Sequence, residues 1–302
     1  MQSRKMIGGV LGCIVAIVAL AVLLKEKTQN ITSDVPATKL QVVATFFPLY
    51  DFTRNIAKDK INLSLLFTQT PEVAAFTPAD IRKINNADLV IKNGLGFEVV
   101  LDDLLKASDN KNVAVVDVSE HAELLTAADE HEGPNDPHIW LDPQNVMKEV
   151  ETIVNALIIH DPENAEFYRR NADAYILQLR TLDTKIQSDV AGYRSKDFVS
   201  FHSAFQYFAH RYGLNQVAVI EEFPGKEPSP AYIAGVIDLI RRKRISAIFS
   251  EPQFSPKVVE VIAHDLGLTV RALDPIETGD IERDSYISRM RINMATLKEA
   301  LQ

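Results

Sequence analysis

Unbroken apolar, β-branched runs recur along the chain at 41–46 (QVVATF), 61–67 (INLSLLF), 88–93 (DLVIKN) and 112–118 (NVAVVDV). Helical stretches lie between them at 48–57, 77–87 (TPADIRKINNA) and 97–108 (FEVVLDDLLKAS). Strands without polar alternation are buried on both faces, and alternation with helices means βαβ units and a parallel sheet. The pattern returns further on at 198–201 (FVSF), 217–223 (VAVIEEF), 246–251 (SAIFSE) and 269–274 (TVRALD), with a helix at 229–244 (SPAYIAGVIDLIRRKR). An α/β protein with two Rossmann-like lobes, each on a parallel sheet, is predicted.

One long helix is expected between the lobes. Asp161 reads as its N-cap and Pro162 as its first residue, and neither Gly nor another Pro occurs up to about Val190. Tyr168, Ala172, Tyr175, Leu179, Leu182 and Ile186 form one apolar stripe at helical spacing. The expected organisation is an N-terminal anchor and tether over 1–38, a first lobe over 39–158, a linking helix over 159–191 and a second lobe over 192–302.

The N-terminus changes the picture of where the protein resides. Arg4 and Lys5 precede 19 residues without a charge, Met6 to Leu24. As a helix this stretch spans roughly 28 Å, close to the thickness of a bilayer core. No clear small-residue cleavage site follows, so an uncleaved signal-anchor with an exported body is expected. Cys13, in VLGC, faintly resembles a lipidation site, although apolar sequence continues past it. It is the only cysteine, which excludes an internal disulfide and leaves His, Asp and Glu as metal ligands. A net charge of −9 with no basic stripe argues against nucleic acid as a partner.

Candidate chemistry follows from the lobes. In open parallel sheets ligands bind beyond the carboxyl ends of the strands. Glu72 follows 61–67 by a short loop, and His138 lies beyond 112–118 in the stretch NDPHIWLDP. His202 directly follows 198–201, and Asp274 ends 269–274. With two from each lobe, the four can converge on the cleft as a site for a divalent transition metal. The two Asp-Pro pairs around His138 stiffen its turn, and Trp140 is placed to buttress it. Glu251 ends a strand near the cleft and is a candidate hydrogen-bond partner for a ligating His.

At these residues the chain resembles the solute-binding proteins of zinc and manganese ABC transporters. The resemblance covers about residues 40–302 and rests on TFFPLYDFTRNIA, FTPADIRKINNADLVIKNGLGFE, DPHIWLDP, FHSAFQYFAHRYGL, KEPSP, IFSEPQFSPKVVEVIAHDLG and ALDPI. It implies two α/β lobes joined by a long helix, with the metal in the cleft and an ABC permease as partner. It implies ligand roles for His138, His202 and Asp274. Glu72 stands where the family usually has a His, a departure that bears on which metal is bound. The segment before DPHIW holds His121 and His131 among many acids, and reads as a solvated acidic loop.

The expected function is therefore capture of zinc or manganese, with iron(II) chemically admissible, and delivery to a permease. The protein is expected to act as a monomer at the outer face of the cytoplasmic membrane. The alternative is a metal-dependent hydrolase in the same cleft, which needs an open metal position for water. No H-E-x-x-H, G-x-S-x-G or phosphate loop occurs in the sequence.

Overall fold

The computed structural model describes residues 38–127, 133–221 and 226–302. The anchor segment 6–24, Cys13 and His131 lie outside these residues. Among the described residues no helix is long and apolar enough to cross a membrane. Residues 39–302 form one compact unit.

Both expected sheets are present. The first has the order β2 (Asn62–Leu65), β1 (Gln41–Ala44), β3 (Leu89–Lys92), β4 (Ala114–Asp117), all parallel. The second repeats that order with β6 (Asn215–Val219), β5 (Asp197–Ser200), β7 (Ile248–Ser250) and β8 (Val270–Ala272). In each sheet the chain leaves the first strand in one direction and returns on its other side. A crevice opens at such a reversal, beyond the carboxyl ends of the strands. Two strands start earlier than predicted: β5 begins at Asp197 and not at Phe198, and β6 at Asn215 and not at Val217.

Helices cover both faces of the sheets. In the first lobe they are α1 (Phe47–Ala57), α2 (Pro78–Asn85), α3 (Leu101–Ala107) and α4 (Pro143–His160). The linking helix is α5 (Ala165–Ala191), followed by α6 (Gln206–Tyr212), α7 (Pro230–Lys243), α8 (Lys257–Leu266) and α9 (Tyr286–Leu301). Their starts are written locally. Thr77 and Asp80 form a capping box ahead of α2, and Asp142 caps α4 with Pro143 in its first turn.

The 27 residues of α5 extend about 40 Å. The predicted stripe is its buried face, with Asp183 and Val190 added. Asp161 does not cap it. Pro162–Asn164 forms a 3-10 turn, and the helix begins at Ala165. The Asp161 carboxylate instead accepts hydrogen bonds from Asn164 Nδ2, at 2.8 Å, and from the Tyr168 hydroxyl.

The core explains why the two sheets hold one arrangement. Each sheet has an outer apolar layer of its own, around Val90 and Leu104 in the first and Ile248 and Ile262 in the second. A single larger cluster runs through both, taking in Phe46, Trp140, Leu157, Tyr175, Phe249, Tyr286 and Leu297. Polar ties cross the same boundary. The buried Asp51 carboxylate accepts from Tyr286 N at 3.0 Å and from the Tyr175 hydroxyl at 3.3 Å. Arg54 donates to the carbonyl of Asp284 at 2.9 Å and to that of Ile281. Trp140 Nε1 donates to the Pro275 carbonyl at 2.7 Å, and the Tyr286 hydroxyl to the Trp140 carbonyl at 2.7 Å.

Gly279 shows how closely the segment after β8 lies on the first lobe. A Cβ there would stand 2.7 Å from the ring of Phe47, which is fully buried. Gly279→Ala is therefore expected to cost about 1–3 kcal/mol through overpacking. Gly192→Ala, whose Cβ would meet only the Asp189 carbonyl at 3.5 Å, serves as the neutral control. Urea unfolding of both variants measures this, and equal midpoints would show that the contact is not tight.

Candidate metal centre

His138 stands on a turn whose backbone is determined by its two Asp-Pro pairs. The second pair starts α4, where Asp142 Oδ1 accepts from Gln144 N at 2.8 Å. In the first pair, Asp136 is fully buried and its Oδ1 accepts from both the backbone N and Nδ1 of His138, at 2.8 Å each. Asn93 Nδ2 donates to the intervening Pro137 carbonyl at 2.9 Å. Trp140 packs on the imidazole, ring centroids 5.2 Å apart. A carboxylate only accepts, so Nδ1 carries a hydrogen, and Nε2, facing the cleft, is the nitrogen left to take up a proton or a metal.

The second lobe repeats the device. His202 follows β5, and its Nδ1 lies 2.7 Å from both carboxylate oxygens of Glu251, the residue after β7. Its backbone N also donates to Glu251, at 3.1 Å. The two Nε2 atoms meet at 3.3 Å. Glu277 Oε1 lies 3.4 Å from Nε2 of His202 and 3.9 Å from that of His138. Glu72 completes the group from the loop after β2. One ligand atom from each of Glu72, His138, His202 and Glu277 lies within 4.8 Å of all the others, and all four residues are buried.

The structure thus brings together three of the four residues singled out in the sequence, and Asp274 is not among them. Its carboxylate is already committed, pairing with Arg289 at 2.5 Å and accepting from Gln253 Nε2 and Ile276 N at 2.9 Å each. Asn293 holds its backbone from both sides, through Asp274 N at 3.0 Å and Asp274 O at 2.6 Å. These bonds shape the turn DPIE. Ile276 sits fully buried at φ +64°, a conformation strained for a β-branched residue, and the turn swings Glu277 into the cleft. The signal for Glu277 was a second carboxylate three residues after Asp274. Asp136, two residues before His138, was likewise missed as the partner of the imidazole.

Burial sets the electrostatics. It pushes the Glu72 carboxyl up to about 7, against the pull of His138. It also opposes charge on His138, but the Asp136 charge and hydrogen bond outweigh it and raise that imidazole to about 9. His202 is lifted well above its ordinary range in the same way by Glu251 and then Glu277. Glu277, despite burial, is held below the usual carboxylate range by His202 and His138. The metal-free cluster therefore holds protons at neutral pH, and the 3.3 Å between the Nε2 atoms leaves room for one between the rings.

The donor set fits a divalent transition metal. Two imidazole nitrogens and two carboxylates converge in a buried cluster. Glu72 Oε2 and both Glu277 oxygens are buried with no hydrogen-bond partner. Buried carboxylate oxygens without partners are costly, and a cation removes that cost. Two lobes on parallel sheets, closed around such a cluster, define a metal-binding solute-binding protein.

Comparison with known proteins places it further. Residues 42–300 match the family model described as zinc-uptake complex component A, periplasmic. The high-affinity zinc uptake system protein ZnuA of Bacillus subtilis is 32% identical over 287 residues, covering 89% of this chain and 90% of that protein. The zinc-binding lipoprotein AdcA of Streptococcus pneumoniae is 32% identical over 278 residues, 86% of this chain but 56% of that longer protein. The Zn(II)-bound ZnuA-like domain of AdcA superposes with a TM-score of 0.75 at 32% identity, over 87% of this chain and 99% of that one. The SBP FpvC of Pseudomonas aeruginosa, in complex with Mn2+, gives 0.79 at 29% identity, over 88% and 99%. The chain belongs to the zinc-uptake complex component A family of metal-binding transport components.

Metal binding should be linked to protons with a definite sign. Ligating imidazole must be neutral at Nε2 and ligating carboxylate ionised. The proton on His138 competes below pH about 9 and the proton on Glu72 below about 7, and His202, lifted well above its ordinary range, holds its proton as a further competitor. Affinity should therefore rise with pH from 6 to 9, most steeply below 7, with release of at least one proton per metal bound near pH 7. Calorimetry in buffers of different ionisation enthalpy counts these protons. A binding constant that is flat from pH 6 to 9 would contradict the assigned protonation.

Proposed function

We propose that the chain captures one divalent transition metal, zinc or manganese, through Glu72, His138, His202 and Glu277 and delivers it to an ABC permease. The observation that carries this reading is the facing pair of Nε2 atoms, 3.3 Å apart, each aimed by a buried carboxylate behind its ring. Such a pair gains little by itself and becomes favourable around a cation. Iron(II) falls within the same donor chemistry. Four buried protein side chains surround the ion, and the protein carries it without turnover. The hydrolase alternative has no support among the relatives.

The working arrangement is a tether over 1–38, two lobes over 39–158 and 192–302 and the linking helix over 159–191, acting as a monomer at the outer face of the membrane. The uncharged stretch Met6–Leu24 supports the tether, as does the lipoprotein AdcA among the relatives. Mass spectrometry of the mature N-terminus decides its form. An intact start supports the signal-anchor, a diacylated Cys13 replaces it with a lipid, and a start near residues 25–35 removes it.

Metal should stabilise the fold by RT ln(1 + [L]/Kd), about 4 kcal/mol at a thousandfold excess over Kd. His138→Ala and His202→Ala should each abolish most of the rise in thermal midpoint caused by zinc or manganese. A parent protein whose unfolding ignores both metals would refute the assignment.

A further inference from the structure

We propose that Glu72 shifts the selectivity of this cleft away from four-coordinate zinc and toward divalent metals that take five or six mixed nitrogen and oxygen donors, manganese(II) or iron(II). The inference rests on reading the cluster as a metal site, and adds which metals its donors suit and which residue decides.

His138 and His202 each have Nδ1 committed to a carboxylate, which leaves one Nε2 apiece for a ligand. Glu72 Oε2, Glu277 Oε1 and Glu277 Oε2 are buried without a hydrogen-bond partner. The cluster thus offers two imidazole nitrogens and up to three carboxylate oxygens. A tetrahedral zinc site uses four. Four-coordination would leave a carboxylate oxygen buried with neither proton nor metal, a costly state. A metal accepting five or six donors employs them all.

Hardness points the same way. Carboxylate oxygen is a harder donor than imidazole nitrogen and suits manganese, whereas zinc is served well by imidazole and thiolate. The sole cysteine, Cys13, lies far from these residues in the sequence. Two imidazoles also argue against calcium and magnesium, which take oxygen ligands.

Glu72 is the member of the set most open to change. It is 8% exposed, whereas His138, His202 and Glu277 are at 0%. The hydrogen bonds within its loop are local, Val73 N to Thr70 O at 3.2 Å and Ala74 N to Pro71 O at 3.4 Å. Beside the loop lies a cavity of about 280 Å3 lined by Leu66, Phe67, Ala74, Ala75, Thr77 and Lys83. The loop has room to settle around a different side chain, so the carboxylate is not demanded by packing.

The test uses full-length protein with manganese(II) or zinc(II) chloride as probes, in competition titrations at one pH, with X-ray absorption at each metal edge. Zinc binds more tightly in absolute terms by the intrinsic order of the divalent ions, so the readout is the zinc-to-manganese ratio. Glu72→His should raise that ratio by about tenfold or more, and Glu72→Gln should lower manganese affinity by about tenfold with the metal-free unfolding midpoint retained. Manganese in the parent protein should show five or six nitrogen and oxygen neighbours. Glu72→Gln keeps the test open if the histidine variant fails to fold. An unchanged ratio in Glu72→His, or unchanged manganese affinity in Glu72→Gln, overturns the role of Glu72 while leaving the metal site standing. Binding of neither metal by the parent protein overturns both.

Discussion

Two buried carboxylate–imidazole hydrogen bonds govern the site, Asp136 to His138 and Glu251 to His202, at 2.8 and 2.7 Å. Each keeps a hydrogen on Nδ1, so that Nε2 faces the cleft and offers its lone pair once its own proton has left. Without these partners the rings could rotate and keep their hydrogen on Nε2, where a metal needs a lone pair. The same bonds raise the proton affinity of both rings, so the feature that prepares the ligands also makes protons the metal's competitor.

The rest of the fold keeps those rings within reach of each other. They come from different sheets, and their separation would vary if the lobes were joined only by α5. They are joined by much more. Trp140 packs beside His138 and bonds to the turn that carries Glu277, so one indole links a cluster residue of the first lobe to one of the second. Asp51, Arg54 and Gly279 add ties between α1 and the segment after β8. The apolar core continues across the same boundary. Ordering costs are thereby met during folding and not at the moment of binding.

Much of this was legible in the sequence because periodicity reports burial. The eight strands and the buried stripe of α5 follow from apolar spacing, and strand ends point to the crevice in any open parallel sheet. His138, His202 and Glu72 were found by that rule. Glu277 was not, because Asp274 offered an equivalent carboxylate three residues earlier in the same turn. The turn beyond β8 is shaped by the Asp274–Arg289 pair, by Asn293 and by the Trp140–Pro275 bond, all contacts distant in sequence. Asp274 had the right chemistry in the right loop and spends it on holding that turn. The helix start at Asp161 shows the same limit at short range. Its carboxylate had a competing donor in the Tyr168 hydroxyl, and a 3-10 turn resulted.

The central claim is that one metal ion is held between the lobes by two imidazoles and two glutamates. Anomalous scattering from crystals grown with manganese or zinc tests it most directly. The account predicts a single strong peak about 2.0–2.3 Å from Nε2 of His138 and of His202 and from carboxylate oxygens of Glu72 and Glu277, with Asp274 still paired to Arg289. A peak outside the cleft, or one ligated by Asp274 in place of Glu277, would contradict it.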